Sequence, residues 1–293
     1  RYNFMLENKK LFPVEKMCYC LKVSKNAYYH WLKVKDTPML ETTTTFLKAR
    51  ILALFKESRE TYGSLRLNKM LEREKLYYSR SYVAVLMREL GLRSVLRKKF
   101  VITTDSNHSY TIAKNILNRD FKCDTIGKKW VSDITYIRVN DDWNYLTTIM
   151  DLADRKIVGW SLSEDMTVKN TVWSAWLTAI GTRKIKYNFI FHSDQGVQYA
   201  SNKMSKVLRE NIKITQSMSR KGNCWDNATA ESLFKTIKYE CTNRFKFTSN
   251  KQLFDCLEDY IRWYNTKRIH STLGYKTPLE MQLELEKLIN KAA

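Results

Sequence analysis

The feature that most constrains the fold is a change in hydrophobic periodicity near residue 128. Residues 129–138, 144–151 and 157–162 are rich in β-branched and aromatic side chains, and the first two runs are joined by the turn signal Asn140-Asp141-Asp142. Beyond them, helical patterns at 168–181, 202–210 and 226–240 alternate with short strand patterns at 189–191 and 212–216. Three antiparallel strands followed by alternating helices and strands predict a mixed α/β layer fold.

The first ninety residues instead show helical spacing. Residues 14–21 are apolar on one face, residues 22–23 break the pattern, and Ser24 is placed to cap a second helix over 24–33. Two short helices joined by a tight turn predict a helix-turn-helix with 24–33 as its recognition helix, although an ordinary helical hairpin fits equally well. Further helices are predicted at 46–58, 64–74, 81–90, 252–265 and 278–291.

Charge indicates the partner. The 293 residues include 51 Lys and Arg against 30 Asp and Glu, a net charge of +21, which favours a polyanion. Residues 1–120 hold 24 basic and 11 acidic side chains, so this part is predicted to dock on nucleic acid. Residues 93–99 contain four cations and are predicted to follow phosphates. No stretch approaches the ~18 apolar residues of a membrane span, so no membrane partner is expected.

The six cysteines lack the spacing of a zinc module. Cys18 and Cys20 are the two that lie close together, and they are separated by a single residue. Reduced thiols in a cytoplasmic compartment fit this pattern better than a disulfide framework.

Three carboxylates stand out in apolar surroundings. Asp133 lies within a predicted strand, Asp194 follows another, and Glu231 lies on the helix predicted from residue 226. A buried carboxylate costs several kcal/mol unless it is paired or metal-bound, so the three are candidates to hold two hard divalent cations for phosphoryl transfer. Periodicity alone does not choose them, because other acids are also candidates. These are Asp151, Asp154 and Asp226.

Lys238 follows Glu231 by seven residues. On an α-helix the two side chains lie about 20° apart, on one face. Lys238 is therefore a candidate to hold a substrate phosphate beside the carboxylate, although a solvated surface position fits the same spacing.

Several long motifs resemble the transposases of the bacterial insertion sequence three family, which belongs to the DDE superfamily together with retroviral integrases. The core motifs are Trp130-Val-Ser-Asp-Ile-Thr-Tyr-Ile137, Phe191-His-Ser-Asp-Gln-Gly-Val-Gln-Tyr-Ala-Ser201, Gln216-Ser-Met-Ser-Arg-Lys-Gly-Asn-Cys-Trp-Asp-Asn-Ala228 with Glu231, and Tyr264-Asn-x-x-Arg268-x-His270-x-x-Leu-Gly-Tyr275-x-x-Pro278. The N-terminal motifs are Phe12-Pro-Val-x-x-Met-Cys18, Tyr28-Tyr-x-Trp-Leu32 and Thr61-Tyr-Gly-Ser64. The resemblance covers nearly the whole chain.

The resemblance implies an α/β fold: a ribonuclease-H-like mixed five-stranded sheet with helices on both faces, preceded by all-α helix-turn-helix modules and followed by a small helical extension. The implied divisions are 1–40 and 41–100 for two DNA-binding modules, 101–122 for a linker, 123–245 for the catalytic core and 246–293 for the extension. Asp133, Asp194 and Glu231 correspond to the family's catalytic and metal-binding triad. Asp154 stands where the family more usually has a small polar residue.

The implied function is DNA transposition with two Mg²⁺ per site, or Mn²⁺. The protein would bind terminal inverted repeats, cleave the element end to free a 3′-OH and join that end to target DNA, as a homo-oligomer in the bacterial nucleoid. An upstream-frame partner or fusion segment is also implied. The residues predicted to contact DNA are Lys25, Asn26, Tyr28, Arg66, Arg80, Arg93, Arg97, Lys98, Lys99, Arg220, Lys221, Lys238 and Arg268. Trp225 is placed either to stack on a base or to pack the helix start into the core.

Two other functions fit the same features. One is a DNA-binding regulator whose integrase-like core is inactive, and the intact triad argues against it. The other is a metal-dependent nuclease that hydrolyses nucleic acid without joining strands, which the detection of joined products would distinguish.

Overall fold

The computed structural model describes residues 1–35, 43–95, 112–186, 188–210 and 213–292. The chain divides into two compact units, Arg1–Leu52 and Ala53–Ala293. The fourth helix, Thr43–Glu57, runs across this boundary. The five predicted divisions of the chain therefore stay a prediction.

The N-terminal unit begins with three short helices, α1 (Tyr2–Asn8), α2 (Val14–Leu21) and α3 (Lys25–Lys35). The predicted break is present, because Lys22 has a left-handed φ of 51° and its N–H bonds back to the carbonyls of Cys18 and Tyr19. Ser24 then accepts a hydrogen bond from the N–H of Ala27 at 3.4 Å. Helices α2 and α3 are thus joined by a tight turn, as the spacing predicted. Helix α1 was not predicted.

The larger unit opens with a helical pair. After α4 (Thr43–Glu57) come α5 (Ser64–Arg73) and α6 (Arg80–Glu89). Ser79 caps α6 by accepting the N–H of Tyr82 at 3.2 Å, and the chain leaves the helix through Gly91 at a φ of 66°. The pair is held by apolar side chains that face each other. These are Leu67, Leu71, Val83 and Leu86, all buried.

A five-stranded mixed sheet forms the centre of the larger unit, as predicted. Its strands are β1 (Lys129–Val139), β2 (Asp142–Asp151), β3 (Ile157–Ser163), β4 (Phe189–Ser193) and β5 (Ile214–Met218). The order is β3-β2-β1-β4-β5, in which β1, β2 and β3 are antiparallel while β4 and β5 run parallel to β1. Because β4 pairs with residues 129–131 at the start of β1, the end of β4 lies beside the part of β1 that carries Asp133.

A large aromatic core supports the sheet. Helix α7 (Ser174–Thr182), which follows a π-helical turn at Lys169–Trp173, packs on β3. Its approach is close because position 159 is glycine, where a Cβ would lie 2.3 Å from the carbonyl oxygen of Ala175. The buried aromatic side chains that fill the space are Trp130, Trp176, Phe189 and Phe191. This core supports the start of β1 and the whole of β4, which lead to Asp133 and Asp194.

The remaining helices are α8 (Val197–Ala200), α9 (Asn202–Glu210), α10 (Ala228–Glu240), α11 (Asn250–Thr266) and α12 (Pro278–Ala292). A 3₁₀ turn at Cys224–Asn227 leads into α10. Helix α11 contacts the end of α4, since Trp263 donates its indole N–H to the carbonyl of Glu57 at 3.2 Å. The helical extension, the end of α4 and the pair of α5 and α6 thus belong to one compact unit with the sheet.

Candidate active site

The three predicted acids occupy the elements that the sequence indicated. Asp133 lies on β1 opposite Thr148 of β2, and its Oδ1 accepts the N–H of Ile134 at 2.8 Å. Asp194 follows the last residue of β4, and its Oδ1 accepts the N–H of Gly196 at 2.9 Å. Glu231 lies in the first turn of α10. Two strand segments and one helix start therefore supply the acids.

The structure brings these three side chains to one cavity of about 220 Å³. The rest of the lining comes mainly from the loop between β5 and α10, together with the residue after Asp194. These lining residues are Gln195, Ser219, Arg220, Lys221, Gly222, Asn223, Cys224 and Asn227. The cavity thus combines three acids, which could bind metal cations, with a basic loop. This combination suits the binding of a phosphate group.

The electrostatics of the cavity disfavour three negative charges. Burial raises the pKa of Asp133 well above its ordinary value, and the neighbouring charges of Asp194 and Glu231 raise it further. Burial also raises the pKa of Glu231, with a second contribution from Asp194. The carboxylates thus repel one another, and a bound cation would relieve that repulsion.

The donor set fits a hard divalent cation in chemical type. Mg²⁺ prefers a few carboxylate oxygens and completes its shell with water or phosphate oxygens. Within the described ranges, no three His, Cys, Asp or Glu side chains already stand close enough together to be a formed metal site. The acids line one cavity, and the structure does not show them as a formed coordination shell.

Lys238 lies beside this acidic group rather than on the open surface. Its Nζ is 5.0 Å from the centre of the Tyr136 ring, on the strand that carries Asp133. Burial lowers the pKa of Lys238, and the charge of Asp133 opposes that shift. Lys238 therefore lies on the same face of α10 as Glu231, as predicted, and its side chain is partly buried and directed toward β1.

The other candidate acids are held in ion pairs. Arg183 donates to Asp151 at 2.7 Å and to Asp154 at 2.6 Å, and both carboxylates are fully buried. Asp226 is likewise buried and accepts from Arg119 at 2.7 Å and from Arg220 at 2.8 Å. These three acids serve as structural anions outside the cavity lining. The pairing with Arg183 also explains an aspartate at position 154, and sequence reasoning missed this arginine because nothing local marks it.

The predicted DNA contacts divide by exposure. The side chains that stand on the surface are Lys25, Asn26, Arg80, Arg93, Arg220 and Lys221. Arg97, Lys98 and Lys99 lie outside the described residues. Trp225 is 69% exposed, which excludes the interpretation that it packs the helix start into the core.

Two predicted contacts are wrong and a third is mainly structural. Tyr28 is 1% exposed and packs in the core of the N-terminal unit beside Met17 and Cys18. Arg268 has a side chain 5% exposed and donates two hydrogen bonds to the buried carboxylate of Glu240, at 2.7 and 2.8 Å. Arg66 lies over the Tyr62 ring and 3.9 Å from Glu240, so most of its surface is covered by protein.

Two further observations concern the described chain as a whole. Among the helices formed by the described residues, none combines the length and the apolar character needed to cross a bilayer. All six cysteines are free thiols.

Comparison with known proteins assigns the class. The family description "Integrase core domain" matches residues 125–224 and again 212–278, and "HTH-like domain" matches 44–100. The chain is also similar to a simian T-cell lymphotropic virus intasome in complex with PP2A regulatory subunit B56 gamma, at 14% identity and a TM-score of 0.48, over 73% of each chain. The sheet order, the acidic cavity and the matched domains define an integrase-type core preceded by an HTH-like domain.

The relatives are insertion-sequence proteins. The chain is 32% identical to transposase InsF for insertion sequence IS3A of Escherichia coli (strain K12), over 96% of this chain and 98% of the relative. It is 35% identical to an insertion element IS600 protein of 31 kDa from Shigella sonnei, over 89% of this chain and 96% of the relative. The chain belongs to the IS3 family of transposases.

Proposed function

We propose that this transposase is a divalent-metal-dependent polynucleotidyl transferase that cleaves the end of its element to free a 3′-OH and then joins that end to target DNA. The observation that carries the proposal is the meeting of Asp133, Asp194 and Glu231 at one cavity of an integrase core. The chain around this acidic site has a net charge of +21, which matches a DNA substrate.

The three carboxylates would hold the metal, as the catalytic residues of the site. When bound, a pair of Mg²⁺ or Mn²⁺ ions would activate the attacking oxygen and stabilise the leaving oxygen of the phosphodiester. Asp133 and Asp194 are fixed by hydrogen bonds to backbone N–H groups, so their carboxylates are oriented before a ligand arrives. Glu231 approaches from a helix start and completes the set.

Cationic side chains would hold the DNA strand at the cavity. Lys238 lies next to Asp133, where its charge would contact a phosphate beside the reacting one. Arg220 and Lys221 line the cavity from the loop that precedes α10. These groups act by attraction to phosphate, so we expect their contribution to weaken as the salt concentration rises.

The helical modules would read the terminal inverted repeats. Lys25 and Asn26 are exposed at the start of α3, the second helix of the N-terminal turn. Arg80 begins α6, and Arg93 follows that helix, within the HTH-like domain. We propose that element ends and target DNA are bound by a homo-oligomer in the bacterial nucleoid, with an upstream-frame partner or fusion segment as a further DNA-binding part.

The test is an assay of strand cleavage and joining. Purified protein is mixed with Mg²⁺ and a labelled duplex that carries the element's own terminal inverted repeat. We expect cleavage at the element end and joined products, and we expect Asp194→Asn to lower both by at least about 10³-fold while DNA binding is kept. A matched control is Asp141→Asn, because Asp141 is a highly exposed aspartate of the β1–β2 turn.

The outcomes separate the possible functions. Equal activity of the wild type and Asp194→Asn would contradict the assignment of the acidic cavity. Cleavage without joined products would indicate a nuclease. Binding without either reaction, insensitive to chelator, would indicate a regulator with an inactive core.

A further inference from the structure

An exposed tryptophan stands at the edge of the acidic cavity. Trp225 lies in the 3₁₀ turn Cys224–Asn227, and its residue is 69% exposed although its neighbours Asp226 and Asn227 are almost completely buried. Cys224 and Asn227, on either side of it, both line the cavity that holds the predicted catalytic acids. The ring therefore lies outside the core, on a turn that borders the cavity.

The turn that carries this tryptophan is anchored through Asp226. The buried carboxylate of Asp226 accepts two hydrogen bonds from the guanidinium of Arg220 at 2.8 Å, one from Arg119 at 2.7 Å and one from Asn115 at 2.9 Å. It also accepts the backbone N–H of Arg220 at 3.1 Å. These bonds tie the loop, the turn and the segment before β1 to one anion.

A second set of contacts connects the same turn to the sheet. The buried ring of His192 on β4 makes a 3.0 Å contact through Nε2 with the carbonyl oxygen of Asp226. Its other nitrogen, Nδ1, lies 2.9 Å from the hydroxyl of Ser217 on β5. The turn is thus fixed to the two strands whose ends form the cavity, and little conformational freedom remains to be lost when a ligand binds the exposed ring.

We infer that Trp225 is a base-binding residue, which stacks on an unpaired base of the DNA strand held at the acidic cavity; this inference rests on the proposed function. A flat, exposed indole offers a stacking face that any base can use. Lys221 and Arg220 beside it supply charge for the adjoining phosphates, and Gly222 leaves open space next to them. A base reaches such a face only when it has left its pair.

The stacking has a consequence for how the DNA end is recognised. A base held outside the duplex leaves the adjoining phosphodiester accessible to the cavity that holds the acids. Trp225 would therefore favour an opened DNA end over a closed duplex. It contacts substrate and acts in binding, while the carboxylates act in the reaction.

The inference can be tested by binding alone, without any reaction. In an Asp194→Asn background, 2-aminopurine replaces single bases that flank the cleaved bond of the inverted-repeat duplex, and its fluorescence is measured on binding. We expect quenching at one position, kept in Trp225→Phe and lost in Trp225→Ala. We also expect Trp225→Ala to weaken binding of an end with an unpaired base by roughly 5- to 150-fold, and binding of an abasic end much less.

A matched control is Phe245→Ala. Phe245 is also an exposed aromatic residue, but it lies beyond the far end of α10, which is about 20 Å long. Quenching that survives in Trp225→Ala would overturn the inference, as would a loss of assembly without a loss of quenching, which would place Trp225 in a protein interface. Failure of the proposed function is detected in the separate assay of cleavage and joining: the wild type would lack one or both reactions, or Asp194→Asn would leave them unchanged.

Discussion

Two sets of carboxylates in the larger unit, one buried and one half-buried, have the same chemistry and opposite surroundings. Asp226 and Glu240 lie against guanidinium groups, and the pKa of Asp226 is held far below its ordinary value, chiefly by hydrogen bonds from Arg220. The pKa values of Asp133 and Glu231 are raised, first by burial and further by the charges of neighbouring acids. The first arrangement stabilises the folded chain, whereas the second costs stability in the absence of a cation and is what a metal-binding site requires.

This contrast explains why burial alone was a poor guide to function. Asp151, Asp154 and Asp226 are as buried as any acid in the protein, yet each lies beside an arginine. An acid whose neighbours are other acids is the better indicator of a functional site. Two kinds of substitution test this comparison. One removes an arginine from the first set, and the other removes a negative charge from the second.

The largest expected effect on stability comes from Arg268→Met. Glu240 would remain buried without its guanidinium, and the loss of one partner of a buried pair costs about 3–5 kcal/mol of unfolding free energy. Chemical denaturation measures it, and Glu240→Gln added to the same chain should recover part of the loss. Arg262→Met is the matched control, since Arg262 pairs with Glu258 on the surface and should matter by less than about 1 kcal/mol. Equal losses in the two variants would contradict the comparison.

A smaller effect of opposite sign is expected for Asp133→Asn. Removal of one charge from the acidic cavity relieves repulsion, so we expect an unfolding free energy higher by about 0.5–2 kcal/mol in metal-free buffer, together with loss of cleavage. Thermal unfolding with and without Mg²⁺ measures both parts, because stabilisation by the metal should shrink in the variant. A variant less stable than the wild type would show that Asp133 is a structural acid.

The smallest expected effect is a dependence on pH. The folded-state pKa of Asp133 is raised, so its favourable contribution is fully present below about pH 4, the ordinary aspartate value, and is lost as the pH rises through the folded-state pKa. Asp226 behaves oppositely, because its pKa is lowered: its contribution is present above about pH 4 and is lost on acidification.

The stabilisation of the protein by a bound metal should also depend on pH. Since the cavity acids must lose protons to bind a cation, the gain in melting temperature on adding Mg²⁺ should grow as the pH rises from about 5 to 8. Asp133→Asn should flatten that dependence. A gain that is independent of pH would separate the metal from these carboxylates.

Much of the fold follows from local pattern. The period-two runs predicted β1, β2 and β3, and the turn at Lys22 and Ser24 was visible from spacing and capping. Long helices and strands report their type locally, so the mixed sheet was predictable and its exact ends were not. The acids of the cavity were chosen from among six by family motifs, since periodicity treated them alike.

The partners of the other acids could not be predicted. Arg183 lies 29 positions after Asp154, and Arg268 lies 28 after Glu240, so their pairing depends on how distant elements pack. Arg268 was assigned to DNA because a basic residue in a long motif looks like a phosphate ligand, and only its burial shows otherwise. The exposure of Trp225 is likewise a property of the packed turn and not of its sequence.

The pair between Glu240 and Arg268 also bears on where a working fragment of this protein can end. Helix α10 carries Glu231 in its first turn and Glu240 in its last. This helix, about 20 Å long, therefore connects the cavity to the C-terminal segment. A truncation at residue 245 would keep every residue of the cavity and still remove Arg268 and Tyr260, whose hydroxyl donates to Glu240 at 2.7 Å. The minimal integrase fragment for expression or crystallisation therefore has to extend through α11 to at least Arg268.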